Sequence, residues 1–218
     1  MPALLAVPNV SEGSDREVLG ELEAAFTRGA VLLDSHSDAD HGRTVFTLAA
    51  RPGGDLLEPL LSGAAAAVSR IEMSEYDGVH PAVGALDVCP IVWLDPADRE
   101  RARAEAIAVA TQIGGAGVPV FLYGELARGP GREERAYFRS GGLSELWLRM
   151  EGGELKPDFG PPLPHRLRRH DHLLAYRDQP IAAPCRAPLR SARRSRSAAS
   201  CRCRARCAPA CRVAGRHR

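Results

Sequence analysis

Apolar and polar positions follow two rhythms over the first 150 residues, and the switches between them predict alternating strands and helices. Residues 3–10 are a short apolar run ending at a Pro-Asn turn signal, read as a strand followed by the loop PNVSEG. Beyond Ser14 or Asp15, either of which can N-cap, Val18, Leu22, Ala25 and Phe26 recur at helical spacing, and Gly29 closes that helix. Residues 30–34 and 44–50 read as strands, the second rich in β-branched and aromatic side chains. A Leu- and Ala-rich helix is expected over about 55–70. The run ALDVCPIVWL within residues 84–94 reads as a buried strand, and Pro90 inside it predicts an edge or a bulge. A strong helix over about 96–113, with Asp95 as N-cap, precedes a strand at 118–123. Two weaker helical stretches cover about 133–139 and 144–150. The order β-α-β-β-α-β-α-β is what two split β-α-β units on one sheet produce. The predicted fold is an α/β sandwich, a mixed sheet with helices packed on it.

Charge and composition divide the chain in two. The net charge of +2 averages over segments of opposite sign. Residues 181–218 hold 11 arginines and no Asp, Glu or Lys, leaving 18 basic against 27 acidic residues before them, a formal charge of −9. Cys89 lies in the acidic part, whereas Cys185, Cys201, Cys203, Cys207 and Cys211 lie in the basic one. The expected organisation is a folded domain over 1–165 and a basic Arg-, Ala- and Cys-rich tail over 166–218. The tail has too little apolar surface to offset its ordering entropy and reads as disordered. Such a mixture is also what a GC-rich coding sequence gives when read out of frame, so a frameshift product and a genuine basic tail both fit it.

The tail raises a second class of function, nucleic-acid binding through salt-sensitive arginine–phosphate contacts. Two features weigh against it: no aromatic residue follows Tyr176 to stack on bases, and the rest of the chain is acidic. The cysteines CRCRARC lack the paired spacing of a structural zinc site. No run of about 18 apolar residues predicts a membrane-spanning helix, and MPALLAVPNVSEG has no basic flank of a secretory signal. The expected compartment is the cytoplasm.

Candidate chemistry concentrates in three loop-like segments. VPNVSEG covers residues 7–13, DSHSDADHGRTVFTL 34–48 and EYDGVHPAVGALDVCP 75–90. The second crowds His36, Asp38, Asp40, His41 and Arg43 between two strands. Three readings fit it: divalent-metal ligation, an active-site loop for a charged substrate, and a polar turn whose Asp residues satisfy backbone donors. No further ligand-rich element completes a coordination sphere, which weighs against metal. In the third segment, Pro81 pushes His80 toward an extended conformation on a rigid loop beside a strand. A lone histidine of this kind is more often structural than catalytic. Cys89, inside an apolar strand, reads as an inert buried thiol. A fourth motif, KPDFGP at 156–161, has a glycine that permits close approach to a ligand, or simply makes a proline-rich turn.

Taken together, VPNVSEG, VLLDSHSDADHGRTVFTL, IEMSEYDGVHPAVGALDVCPIV, GVPVFLYGELA and KPDFGP resemble the glutamate formiminotransferase family, in its order and at its spacing over about residues 5–165. The resemblance implies transfer of a formimino group from N-formimino-L-glutamate to N5 of tetrahydrofolate, a step of histidine degradation and one-carbon metabolism. It implies two α/β subdomains with folate between them, self-association as a homo-oligomer, tetrahydrofolate as co-substrate and no metal. The family's catalytic histidine maps to His80. Its folate-binding stretch maps to Gly160, Pro161, Pro162, Leu163, Pro164 and His165. Charge complementarity then assigns Asp38 and Asp40 to the cationic formimino group and Arg43 to a substrate carboxylate. Two positions depart from the family: Ala82 stands where arginine is common, and Gly42 where asparagine is frequent. The first motivates an alternative, a related folate-dependent transferase with another donor. The resemblance fades within the folate segment, so an activity impaired by truncation is expected.

Overall fold

The computed structural model describes residues 4–161 and the backbone of 174–178. The first strand is split by Pro8 into β1 (Leu5–Ala6) and β2 (Asn9–Val10). Helix α1 (Arg16–Phe26) follows, its N-terminus capped by Asp15 Oδ1, which accepts from the amides of Glu17 (2.9 Å) and Val18 (3.1 Å). Then come β3 (Ala30–Asp38), β4 (Arg43–Ala50), α2 (Leu57–Arg70), β5 (Leu86–Val92), α3 (Arg99–Gly115), β6 (Val120–Gly124), α4 (Ala136–Arg139), α5 (Gly142–Glu151) and β7 (Leu174–Asp178). A 3₁₀ turn at Pro96–Asp98, capped by Asp95 as expected, leads into α3.

The strands form one mixed sheet in the order β3, β4, β1/β2, β5, β7, β6. The strands from β3 to β5 pair antiparallel, while β7 pairs parallel to both β5 and β6. Because β1/β2 and β3 both run antiparallel to β4, they are parallel to each other with β4 between them. The same holds for β4 and β5 with β1/β2 between them. These are two interlocked split β-α-β units, as the element order predicts.

Strand β4 shows the two-residue rhythm clearly. Thr44, Phe46, Leu48 and Ala50 are buried, and Arg43, Val45, Thr47 and Ala49 are half-buried. The buried set joins Val18, Leu22 and Phe26 of α1, Leu60 and Ala64 of α2, and Ala106, Val109 and Ile113 of α3 in the main core. Phe26 and Phe46 meet ring to ring at 5.3 Å. On the other face, Val88, Phe121 and Tyr123 pack against Phe138 of α4 and Leu146 and Met150 of α5.

Two expectations are corrected. Pro90 does not mark an edge, since β5 lies inside the sheet. A strand residue's N–H and C=O point to the same side, and the Pro90 carbonyl accepts from Val7 N (3.0 Å), in the break between β1 and β2. The missing donor faces Val7, whose carbonyl accepts from Asn9 Nδ2 (2.8 Å) instead. Second, residues 174–178, expected to be disordered with the rest of the tail, form β7. The slot between two parallel strands offers backbone partners on both sides, which a short apolar run does not reveal. The rest of that tail, and Pro162–His165, lie outside the described residues.

Candidate active site

The three chemistry-bearing segments interlock at one corner of the sheet. Gly13 of the first presses on the β3–β4 hairpin so closely that a Cβ there would sit 2.1 Å from the Asp38 carbonyl oxygen and 2.7 Å from Arg43 N. Only glycine allows this approach. Gly42, in the hairpin turn, has φ +59 and backs onto Gly78 and the Tyr76 ring of the third segment. Tyr76 Oη lies 2.9 Å from the His41 carbonyl oxygen and 2.8 Å from that of His80, so its one proton clips the loop to the hairpin or to itself. Val79 N donates to the Asp40 carbonyl (3.2 Å).

This scaffold brings Arg43 to His80. Arg43 Nη1 donates to His80 Nε2 at 3.3 Å. A guanidinium has donors only, so Nε2 is the acceptor and the ring proton sits on Nδ1. Burial, followed by the charges of Arg139, Arg43, His41 and Arg135, pulls the His80 pKa down to about 4. The imidazole is therefore neutral at pH 7, with Nε2 engaged by Arg43.

Below the loop lies Asp87, 1 % exposed. Its Oδ1 accepts from Val83 N (2.8 Å), three residues after His80, and its Oδ2 pairs with Arg139 Nη2 from α4. Burial pushes the Asp87 carboxyl up, and Arg139 and the Val83 amide pull it back. Asp87, Arg139 and Tyr76 were not singled out from the sequence. Arg139 stands 52 residues from Asp87 and carries no local motif; only the ALDV run and the EYDG run hinted at the other two.

The other expected residues separate into groups. Asp38 faces Arg43 across the β3–β4 ladder but pairs with His41, whose Nδ1 lies 2.9 Å from Asp38 Oδ2 and whose amide donates to Asp38 Oδ1 (3.0 Å). That amide, before the His41 side chain, lowers the Asp38 pKa. Asp40 contributes its backbone carbonyl to the Val79 clip. Glu12, in the VPNVSEG loop, gathers the amides of Gly13, Ser14 and Asp15 on one carboxylate oxygen at 2.7–3.0 Å. Burial pushes its pKa up, and those amides prevail and lower it. Among the described residues, no group of three or more His, Cys, Asp or Glu could hold a metal ion. Cys89 is fully buried, which pushes its thiol well above the ordinary value.

Gly160 and Pro161 lie at the same end of the sheet as His80. Val88 of β5 and Phe121 of β6 both pair with Ala175 of β7, so β5 and β6 begin at one level. His80 leads into the first, and Gly160 packs on the chain entering the second. Gly160 has φ +86, and a Cβ there would lie 2.4 Å from the Val118 carbonyl oxygen, a packing reason for glycine independent of any ligand. Asp158 anchors the motif, accepting from Leu122 N (2.7 Å) and Arg132 Nη2 (2.6 Å).

Comparison with known proteins gives the family. Residues 3–168 match the family described as formiminotransferase domain, N-terminal subdomain. The chain is 40 % identical over 161 residues to the formimidoyltransferase-cyclodeaminase of Sus scrofa, covering 71 % of this chain and 29 % of that protein. It is 34 % identical over 159 residues to the glutamate formimidoyltransferase of Streptococcus pyogenes serotype M1, covering 71 % and 52 %. With the glutamate formimidoyltransferase of Thermoplasma acidophilum it shares 31 % over 186 residues, 81 % and 61 %. The chain thus spans less than two thirds of each of these relatives. On the match over three quarters of its length, this chain belongs to the formiminotransferase N-terminal subdomain family.

Proposed function

We propose that this chain takes part in glutamate formimidoyl transfer, moving a formimino group from N-formimino-L-glutamate to N5 of tetrahydrofolate, with His80 as the proton-transfer residue. The observation that carries the reading is a neutral imidazole held by Arg43 in cationic surroundings, at the corner where the family motifs meet. In the reaction, folate N5 bonds to the amidine carbon and passes through a tetrahedral intermediate. The bond from that carbon to the glutamate nitrogen then breaks. N5 loses one proton and the glutamate nitrogen gains one, and His80 carries it between them. Arg43 pairs with a substrate carboxylate, while Asp38 and Asp40 face the cationic formimino group. Gly160, Pro161, Pro162, Leu163, Pro164 and His165 line the folate side. Tetrahydrofolate serves as co-substrate without metal, in the cytoplasm, within histidine degradation. The basic remainder of the chain is a frameshift product; rereading the coding DNA from about codon 155 onward tests this.

The test of function mixes the chain with both co-substrates and follows 5-formiminotetrahydrofolate by absorbance, beside calorimetric binding of tetrahydrofolate. Turnover that falls at least about 100-fold in His80→Ala, with folate binding retained, supports the reading. An equally active His80→Ala variant, or a chain that binds neither co-substrate, overturns it.

A further inference from the structure

Arg43 and Arg139 reach the His80 loop from different elements. Arg43 opens β4 and donates to His80 Nε2. Arg139 ends α4, is 11 % exposed along its side chain, and is fixed by Asp87. Asp87 spends one oxygen on Arg139 and the other on the Val83 amide, so it sets both the guanidinium and the loop that carries His80. Arg139 Nε is buried with no hydrogen-bond partner among the described residues. Contacts tie both arginines to this one loop, Arg43 through His80, and Arg139 through Asp87 and the Val83 amide.

At that loop Arg43 bonds a neutral acceptor, His80 Nε2, and no salt bridge to a carboxylate holds it among the described residues. Arg43 comes from β4, His41 from the hairpin turn, Arg135 and Arg139 from the α4 region. Of the carboxylates there, Asp87 is committed to Arg139 and Asp38 to His41, while Asp77 acts on Tyr76. A guanidinium without a carboxylate partner favours an anion, and two planar forks favour a carboxylate. A carboxylate also competes well for Arg43, because charge-assisted bonds are about twice as strong as neutral ones.

We propose that Arg43 and Arg139, the latter positioned by Asp87, form a two-guanidinium carboxylate site, and that a carboxylate bound there draws Arg43 off His80 Nε2 and frees that nitrogen as the base. This deepens the reading of His80 as proton carrier and rests on it. The site takes the carboxylate of an amino-dicarboxylate or its N-substituted derivative. Substrate binding and base activation become one event, so His80 is held by Arg43 until the acid arrives.

The experiment titrates the His80 imidazole by NMR in the full chain, its signals assigned by their loss in His80→Ala. It is run without additive, with L-glutamate, with succinate, and with chloride at matched ionic strength. The expected result is a His80 pKa raised by at least one unit by either dicarboxylate, about a tenfold gain in proton affinity, and not by chloride. Arg43→Gln should weaken glutamate binding about tenfold or more, and Arg139→Lys, which keeps the charge and loses the fork, should weaken it less. Since Arg139→Gln alone strands a buried Asp87 charge, the Asp87→Asn/Arg139→Gln double variant, checked for folding by circular dichroism, serves as the neutral counterpart and should bind as weakly as Arg43→Gln. A His80 pKa unmoved by saturating dicarboxylate, or a folded double variant that binds glutamate like the parent chain, overturns the proposal. The two readings fail separately. If succinate and glutamate bind and shift His80 but no formimino transfer occurs, the carboxylate site stands and the transferase reading falls. Transfer through His80 with no carboxylate response gives the reverse.

Discussion

The two faces of the sheet do different jobs with the same strands. On the face covered by α1, α2 and α3, β4 contributes Phe46 and Leu48 to a closely packed apolar core. On the other face, the alternate residues of β4 begin with Arg43, which meets His80. A step of one residue along the strand separates a group that stabilises the fold from a group that handles charge. The lesson is that rigidity on one side allows polarity on the other. Thr44, fully buried, donates to the Glu12 carbonyl at 2.7 Å and so ties the VPNVSEG loop to the strand that presents Arg43.

Four substitutions or conditions probe that division. The largest effect belongs to the His80 corner and to chemistry alone: His80→Ala should cost about 10²–10⁴-fold in turnover, with the urea midpoint nearly unchanged. A large stability loss there would mean the histidine belongs to the packing instead. Phe46→Ala should do the converse. It should cost about 3–5 kcal/mol of stability, read by urea unfolding, while the surviving folded fraction keeps its His80 titration near pH 4.

Smaller effects sharpen the boundary. Gly42→Ala places a Cβ at φ +59 and 2.9 Å from Gly78 Cα. A loss of about 1–2 kcal/mol is expected from the left-handed backbone, together with a weakened Arg43–His80 contact seen as a shifted His80 titration. The smallest effect is a pH slope. Folded His80 stays neutral down to about pH 4, whereas the unfolded ring takes a proton near 6.5. Between those values the unfolded state binds more protons, so stability should fall as pH drops through the window. His80→Gln should remove part of that slope in urea melts at pH 5 and pH 7, modestly because the ring is partly exposed to solvent.

Much of this was legible in the chain before any coordinates. The helical spacing of Val18, Leu22, Ala25 and Phe26, the Asp15 cap and the alternation in β4 each follow from local rules, since burial on one face imposes a period on the sequence. The order of elements was enough to give the split β-α-β arrangement, because few un-knotted connections accommodate it. The five family-like motifs pointed to the family through residues 3–168. Of the two alternatives for Pro90, edge or bulge, the edge failed, because a single missing donor looks the same at a border or beside a break in the neighbouring strand; the β2–β5 register does shift nearby, between Val88 and Leu86. β7 was missed because an interior parallel strand draws its pairing from chain far away.

The sequence by itself determined the elements before β7, the two-faced strand and the presence of His80 on a pre-proline loop. Only the tertiary structure decided what surrounds His80. Arg43 arrives from 37 residues upstream, and Asp87 takes its partner Arg139 from 52 residues downstream. Periodicity reports whether a side chain is buried, not which distant charge it meets. That pairing is set by how the hairpin, the β5 strand and α4 close upon one another, and it governs whether the imidazole at their meeting point carries a proton.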